Sequence, residues 1–294
     1  MKILISDNLE ENVIEKLREL GEVEYKPEDL QKAVEYAEIL IVRSATQVNS
    51  ELISKAKKLK IVARAGVGLD NIDVSECERR GIKVINTPDA PTIAVAELTI
   101  GLIIAMFRKI IEADNSTRAK IWKKKELVGN ELYGKTFGII GLGRIGKAVA
   151  KRASVFGMNI LTFDLFVKNS DVAKMVSLDE LLKKSDIVSL HVPATNETNK
   201  MINRENISKM KDGVYLLNLS RGPVIDEDAL FDALKNGKIK CAALDVFSKE
   251  PYKGKLLELQ NVIFTPHIGA NTKEAQERIG EELIEKLKEM LKSI

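Results

Sequence analysis

The 294-residue sequence predicts an α/β fold made of two doubly wound parallel-sheet domains. Three observations lead there. Short runs rich in β-branched residues alternate with segments whose apolar residues recur at helical spacing, the rhythm of strands joined by crossover helices. That rhythm runs through the chain twice, the second series starting after Gly134. The length also suits two cores better than one.

In the first series the strand-like runs are Lys2 to Ser6, Glu38 to Val42, Lys60 to Arg64 and Lys83 to Ile85. Ala90 to Arg118 then reads as one long helix, because Ile93, Ala96, Leu98, Leu102, Ile103 and Met106 recur at helical intervals behind Pro88 and Pro91. Its apolar stretch, Leu98 to Phe107, is bounded by Glu97 and Arg108 and falls short of the roughly 20 residues that span a bilayer. The second series holds six strand-like runs: Phe137 to Ile140, Asn159 to Phe163, Ile187 to Leu190, Val214 to Asn218, Cys241 to Leu244 and Val262 to Phe264. Thr272 to Lys292 closes the chain as an amphipathic helix with Ile279, Leu283, Leu287 and Leu291 on one face, expected to return to the N-terminal domain. The predicted domains are therefore residues 1–88 plus 272–294, and residues 89–271.

Hydrophobic residues make up 45% of the chain and charged residues 30%, enough apolar surface for a folded protein. With 46 Lys and Arg against 43 Asp and Glu there is no basic field to collect nucleic acid or an anionic membrane, so the expected partner is a small molecule. Cys77 and Cys241 have no metal-ligand spacing and read as reduced core thiols, and no metal site is expected. The N-terminal MKILISDNL reads as a buried strand instead of a targeting segment, which predicts a cytoplasmic protein.

Gly141-Leu142-Gly143-Arg144-Ile145-Gly146 follows the apolar strand FGII and opens a helix running to Phe156. In that context three glycines serve a tight turn, close approach of a pyrophosphate, and close packing of helix on strand, while the helix N-terminus offers N–H groups to phosphate. Asp164 ends the next strand about 20 residues on, where a carboxylate holds the ribose hydroxyls of NAD and repels the extra phosphate of NADP. A Rossmann domain binding NAD is the reading.

Three polar residues sit just beyond strands of the same series, at the carboxyl ends where α/β sheets place ligands. They are Arg221 in NLSRGP, Glu250 in DVFSKEP and His267 in TPHIGA, and the chain has only one other histidine, His191. Singly, each is equally well read as a surface ion pair, a loop acid or a satisfied loop histidine.

The set GLGRIG, NLSRGPVID, DVFSKEP and TPHIGA resembles the D-isomer-specific 2-hydroxyacid dehydrogenases. IVRSATQV, IVARAGVGLDNID, VINTPDAPTIAVAEL and NELYGKTFGIIGLGRIG extend that resemblance over nearly the whole chain and toward the branch acting on D-3-phosphoglycerate. The resemblance implies a flavodoxin-like substrate domain beside the Rossmann domain. It implies that Arg221 binds and polarises the 2-oxo acid, that His267 is the acid/base at the C2 oxygen and that Glu250 orients the imidazole. It places Val67, Gly141, Gly143, Arg144, Ile145, Gly146, Asp164, Val192, Pro193, Leu219, Ser220, Asp245, Gly269 and Ala270 at NAD. It places Arg43, Ser44, Arg64, Gly66, Val67, Gly68 and Asn86 at the substrate, the Gly66-Val67-Gly68 turn receiving its carboxylate and the two arginines its phosphate.

The activity so implied is NAD-dependent oxidation of D-3-phosphoglycerate to 3-phosphohydroxypyruvate, the first step of phosphorylated serine biosynthesis, by a homodimer joined through its NAD-binding domains. The dimer is expected because the Ala96 to Phe107 helix carries more apolar surface than its own sheet covers. Two departures from the resemblance stand out. Asp89-Ala90-Pro91 puts a carboxylate where relatives have small polar residues, which bears on the substrate, and the chain ends after the Thr272 helix, so regulation through an appended ligand-binding domain is not expected. Lys123-Lys124-Lys125 beside Trp122 reads as a solvated face, or as a source of a lysine for a neighbouring subunit's phosphate. Alternatives are a glyoxylate or hydroxypyruvate reductase, which needs no phosphate pocket, and an NADH-sensing binding module of the corepressor type.

Overall fold

The computed structural model of the chain describes residues 1–292 and divides into two compact units, Met1–Pro91 together with the chain from Ala270 onward, and Thr92–Gly269. Residues 293 and 294, the end of the expected 272–294 segment, lie outside the described residues.

The first unit runs β1 (Lys2–Ile5), α1 (Glu11–Arg18), β2 (Glu22–Tyr25), α2 (Leu30–Ala33), β3 (Ile39–Val42), α3 (Ser50–Lys55), β4 (Ile61–Arg64), α4 (Val74–Arg79) and β5 (Lys83–Asn86). All five strands are parallel in the order β2-β1-β3-β4-β5, the flavodoxin-like winding. Ile3, Ile5, Ile39, Ile41, Ile61 and Ala63 enter the core on one face, and Leu4, Leu40, Val42 and Val62 enter the core on the other. Burial on both faces is why these strands read as unbroken apolar runs. Strand β2 escaped the sequence reading because EVEY sits at the sheet edge, half in water, and has no such run.

The second unit runs α5 (Thr92–Phe107), α6 (Ile110–Arg118), β6 (Thr136–Ile140), α7 (Arg144–Val155), β7 (Asn159–Phe163), β8 (Lys174–Met175), α8 (Leu178–Lys184), β9 (Ile187–Leu190), α9 (Arg204–Lys209), β10 (Val214–Asn218), α10 (Glu227–Lys235), β11 (Ile239–Leu244) and β12 (Val262–Phe264), after which α11 (Lys273–Leu291) rejoins the first unit. Its seven parallel strands are ordered β12-β11-β10-β9-β6-β7-β8, so the winding starts at β6, moves outward to β8, and resumes on the other side at β9. The reversal between β6 and β9 opens the crevice in which doubly wound sheets bind ligands. Six strands were expected. The seventh, β8, is a two-residue edge strand that is too short to leave a pattern.

The single helix expected over Ala90 to Arg118 is two helices. Lys109 takes a left-handed conformation (φ 51°, ψ 39°) between them. The carbonyl of Phe107 accepts the N–H of Asn130 at 2.8 Å, and a Cβ on Gly129 would lie 2.5 Å from that same oxygen, so the returning chain takes over the end of α5. Nothing near Lys109 in the sequence could announce a partner so far along the chain.

The reason given for a dimer also needs correction. Ala96, Ile100, Leu102, Ile103, Met106 and Phe107 of α5 are all buried within their own unit, against α7, the sheet and Tyr215, whose ring lies 4.3 Å from that of Phe107. Ile93 at its start is exposed, and further exposed apolar residues follow it: Ile110, Ile111, Ile121, Trp122 and Val128. Among the described residues no helix is long and apolar enough to cross a membrane.

Helix α11 buries Ile279, Leu283 and Leu287 against the first unit. Its polar residues hold the two chain crossings: Gln276 Nε2 donates to Ala270 O (2.7 Å), Arg278 Nε to Ala90 O (3.1 Å), Ala90 N to Glu282 Oε2 (3.0 Å) and Lys286 Nζ to Asn86 O (2.8 Å). Gly280 lets α1 come close, since a Cβ there would meet Val13 Cγ2 at 2.2 Å. Valine is stiff about χ1, so Gly280→Ala is expected to destabilise by about 1–3 kcal/mol through overpacking. A second change, Val13→Ala, should restore part of the loss; urea unfolding of the single and double variants checks this, and a neutral Gly280→Ala would show that the contact yields freely.

Candidate active site

The glycine loop lies at the carboxyl end of β6, beside the winding reversal. Gly141 has φ +96°, and a Cβ on it would stand 2.4 Å from the His191 carbonyl; a Cβ on Gly146 would stand 2.0 Å from the Gly141 carbonyl. Both glycines are therefore required by the protein's own packing. Gly143 differs: a Cβ there would meet nothing within 4 Å. It precedes α7, whose first turn has no side-chain cap, so glycine at this position suits a ligand phosphate approaching the backbone and the uncapped N–H groups of the turn begun by Arg144 and Ile145.

Asp164, at the end of β7, accepts hydrogen bonds from Leu142 N (2.6 Å), Phe166 N (2.8 Å) and Val167 N (2.9 Å). Burial acts to raise its pKa, but these donors and Lys168 outweigh it and hold the carboxyl below its ordinary range. The acid stays ionised and pins the glycine loop, a geometry that fits the ribose and pyrophosphate of NAD.

Strand β9 ends at the loop His191-Val192-Pro193. Val192 packs on the core, and Thr198 closes the loop by donating to Pro193 O at 2.6 Å. The His191 Nε2 meets Ser189 Oγ at 2.9 Å, and its Nδ1 is buried with no partner in the structure.

At the end of β10 the buried Asn218 shapes the next turn: its Oδ1 accepts Ser220 N (3.0 Å) and Ser220 Oγ (2.8 Å), and its Nδ2 donates to Arg221 O (2.9 Å). Leu219 and Ser220 are buried by this turn, and Arg221 Nη1 donates to Ser220 O at 2.6 Å. Gly222 then lies directly on the loop after β11. A Cβ on it would be 1.9 Å from Phe247 C and 2.3 Å from Ser248 N, so the turn bearing Arg221 rests against the loop bearing Glu250.

Glu250 and His267, whose convergence spacing alone left open and the family resemblance implied, lie with His267 Nδ1 2.8 Å from Glu250 Oε2. Glu250 Oε1 accepts Phe247 N at 3.2 Å, which orients the carboxylate. With Nδ1 held by the carboxylate, Nε2 is the ring atom left to exchange a proton with a ligand.

His267 itself has φ +53°, rare for a side chain that is not glycine. Asp245 at the end of β11 holds it there. The buried Asp245 carboxylate accepts Thr265 Oγ1 (2.6 Å), Ile268 N (2.9 Å) and Gly269 N (2.8 Å), while Asp245 O accepts His267 N (2.9 Å). Asp245 was anticipated only at the cofactor; its hydrogen bonds run to the histidine turn.

In the first unit, Asn71 links the two predicted arginines. Its Oδ1 accepts Arg64 Nε (3.1 Å), and its Nδ2 donates to Arg43 O (2.8 Å) and Thr46 O (2.6 Å). Asp7 fixes the same loop by accepting Arg43 N (2.6 Å), Thr46 N (3.2 Å) and Thr46 Oγ1 (2.7 Å). Burial pulls the Arg43 guanidinium below its ordinary pKa, opposed by Asp7 and Glu10. A Cβ on Gly66 would meet Arg64 Nη1 at 2.2 Å, so the bare glycine leaves room for the guanidinium over the turn. Asn86 Nδ2 donates to Val67 O (2.5 Å) and Thr87 N to Gly66 O (3.0 Å), tying the Gly66-Val67-Gly68 turn to the end of β5. Ser44 is exposed and outside this network. Asn71, Asp7, Asn218 and the second role of Asp245 were missed by the sequence reading; the available signal was a short polar side chain next to a strand end or turn.

Residues 100–269, which contain the glycine loop, Asp164, Arg221, Glu250 and His267, match the family model described as D-isomer specific 2-hydroxyacid dehydrogenase, NAD binding domain. The chain belongs to that family. Over 99% of its length it is 48% identical to a D-3-phosphoglycerate dehydrogenase of Methanocaldococcus jannaschii, and it spans 58% of that protein. Over 97% of its length it is also 48% identical to a hydroxypyruvate reductase of Thermotoga maritima, here covering 97% of the relative. A D-lactate dehydrogenase of Aquifex aeolicus, solved with NAD and lactic acid, superposes with a TM-score of 0.91 at 36% identity, covering 100% of this chain and 97% of that one.

In this member of the family His191 offers a pH test of the glycine-loop support. Burial lowers its pKa from 6.5 to about 4. The unfolded chain therefore binds a proton that the folded one refuses, and stability present above about pH 6.5 is lost as pH falls toward about 4. Relative to His191→Gln, the wild type is expected to lose up to about 3 kcal/mol over that range. Denaturant unfolding at stepped pH measures the gap; a constant gap would show that the imidazole is free to protonate in place.

Proposed function

We propose that the chain interconverts a D-2-hydroxy acid and its 2-oxo acid with NAD, and that D-3-phosphoglycerate and 3-phosphohydroxypyruvate, at the head of a phosphorylated route to serine, are the pair it serves. The observation carrying the reaction type is the 2.8 Å contact of His267 with Glu250 at the strand-end rim. A bound nicotinamide cofactor supplies or takes up the hydride at C2. His267 Nε2 accepts the C2 hydroxyl proton in oxidation and returns it in reduction, and the Glu250 carboxylate stabilises the imidazolium in between. Arg221 meets the charge on the carboxylate and on the C2 oxygen as it develops. Gly141, Gly143, Gly146, Arg144, Ile145 and Asp164 hold the cofactor, with Val67, Val192, Pro193, Leu219, Ser220, Asp245, Gly269 and Ala270 at its remaining edges.

Supporting the phosphorylated substrate are Arg64, whose guanidinium donates to Asn71, and Arg43, whose main-chain carbonyl accepts from the same Asn71, beside the Gly66-Val67-Gly68 turn proposed for the carboxylate, with Ser44 and Asn86 flanking it. A specific observation favours a second reading. The hydroxypyruvate reductase of Thermotoga maritima matches over 97% of both chains, so unphosphorylated hydroxypyruvate is the rival substrate. The protein is proposed to act in the cytoplasm as a homodimer joined through its NAD-binding units, with exposed Ile110, Ile111, Ile121, Trp122 and Val128 as the apolar surface that association would cover.

His267→Ala is expected to lose about 10²-fold to 10⁴-fold in turnover while NADH still binds normally. Fluorescence titration with NADH beside steady-state kinetics separates the two, and loss of both together would move His267 out of the chemistry. Arg43→Ala should raise KM for 3-phosphohydroxypyruvate about tenfold or more, a charge-assisted bond being worth about 1.5–3 kcal/mol, with little change for hydroxypyruvate. An equal effect on both substrates selects the hydroxypyruvate reductase reading.

Asp164→Ala removes both the ribose acceptor and the partner of Leu142 N, so it should weaken NADH about tenfold and narrow the preference over NADPH. Equal use of the two cofactors by the unmodified protein would refute the assignment of Asp164.

A further inference from the structure

The loop between β11 and β12 carries Glu250 on an exposed stretch, yet the carboxylate must hold one direction to orient His267. Its fixation comes from the first turn of α10. Glu227 Oε1 accepts the Ser248 N–H at 2.9 Å, two residues from Glu250 and next to Phe247, whose own N–H donates to Glu250 Oε1. Lys255, farther along the loop, pairs with Asp228 at 2.7 Å. The Phe247 and Tyr252 rings stack at 4.5 Å between these two anchors, and Phe264 of β12 lies 6.1 Å from Phe247. Burial, with Glu227 among the neighbouring acids, pushes the Tyr252 hydroxyl up to about 12, so it remains a neutral hydrogen-bonding group throughout the working range.

Helix capping does not account for Glu227. The N-cap of α10 is Asp226, whose side chain already accepts Asp228 N and Ala229 N, and Asp228 adds a second acid to the first turn. The Glu227 side chain instead reaches across to another loop. That loop is the one on which Gly222 is packed, five positions before Glu227 and one after Arg221.

We propose that Glu227 is a positioning residue for proton transfer: by fixing Ser248 it locks the Glu250-bearing loop onto the Arg221-bearing turn and so sets the carboxylate against His267 Nδ1. This rests on the reading of Glu250 and His267 given above. No direct contact of Glu227 with substrate or cofactor is involved. Loss of the Ser248 anchor lets Phe247 and Glu250 turn together, because the same carboxylate oxygen that accepts Phe247 N is one bond from the carbon bearing the oxygen that faces His267.

The test is a double-mutant cycle on turnover in the reducing direction, with NADH affinity and melting temperature recorded for each variant. Glu227→Ala should lower kcat about tenfold at unchanged NADH affinity, the effect of one lost positioning bond. Glu227→Gln keeps an acceptor oxygen for Ser248 N and should stay within about threefold of wild type. In a Glu250→Gln background Glu227→Ala should cost less than about twofold more, since the carboxylate it positions is gone. If the alanine variant fails to fold, Glu227→Met, which fills the same space without an acceptor, takes its place with the same expectation. An unchanged kcat in Glu227→Ala, or the same factor lost in both backgrounds, overturns the proposal. Glu250→Gln running at the wild-type rate overturns instead the proton-transfer reading beneath it, and the two failures are thereby distinguished.

Discussion

The buried Asp245 carboxylate is the constraint on which the proposed catalytic rim depends. His267 occupies a left-handed backbone conformation that costs an ordinary residue about 1–2 kcal/mol. The turn adopts it because three donors from residues 265 to 269 converge on one charged acceptor at the end of β11. Hydrogen bonds to an ionised group are worth about 1.5–3 kcal/mol each, more than enough to offset the strain. The same carboxylate also accepts the N–H of Gly269, the last residue of the second unit.

Around that point the second unit gives a task to six of its seven strand ends. The β6 end supplies the glycine loop and the β7 end the acid that pins it; the β9 loop backs the glycines through the His191 carbonyl. The β10 turn carries Arg221, the β11 loop Glu250, and the β12 turn His267. Parallel winding makes this possible, because every strand finishes on the same edge of the sheet and each loop can be held by its neighbour. Gly222 against Phe247 and Ser248 is one such hold, and Asp164 on Leu142 is another.

What the sequence disclosed and what it withheld follow from the range of the interactions. Buried strands such as Ile39–Val42 and Val214–Asn218 were legible because burial on both faces writes an apolar run. The glycine loop was legible because its demands are local: a turn, a close approach and an uncapped helix start. The resemblance to a known family supplied the roles of Arg221, Glu250 and His267, which spacing alone left open. The break at Lys109 was hidden, since its cause is the distant pair Gly129 and Asn130. Asn218, Asn71 and Glu227, and the hold of Asp245 on the histidine turn, were hidden for the same reason. Each is an ordinary polar residue whose meaning lies in backbone groups that only the folded chain brings near.

In the proposed mechanism chemistry and specificity fall to different units. Every residue assigned to proton transfer and hydride positioning in the proposed mechanism belongs to the second unit, except for edge contributions from Val67 and Ala270, while Arg43, Ser44, Arg64, Asn86 and the Gly66-Val67-Gly68 turn belong to the first. The two units have distinct hydrophobic cores. Relatives named for phosphoglycerate, hydroxypyruvate and lactate are each similar to this chain over nearly its whole length. In the proposed function, substrate identity is a question about the loop after β3 and the turn after β4, where Asn71 holds the Arg64 guanidinium and, with Asp7, the Arg43 main chain. It is answered by which anion those two arginines accept.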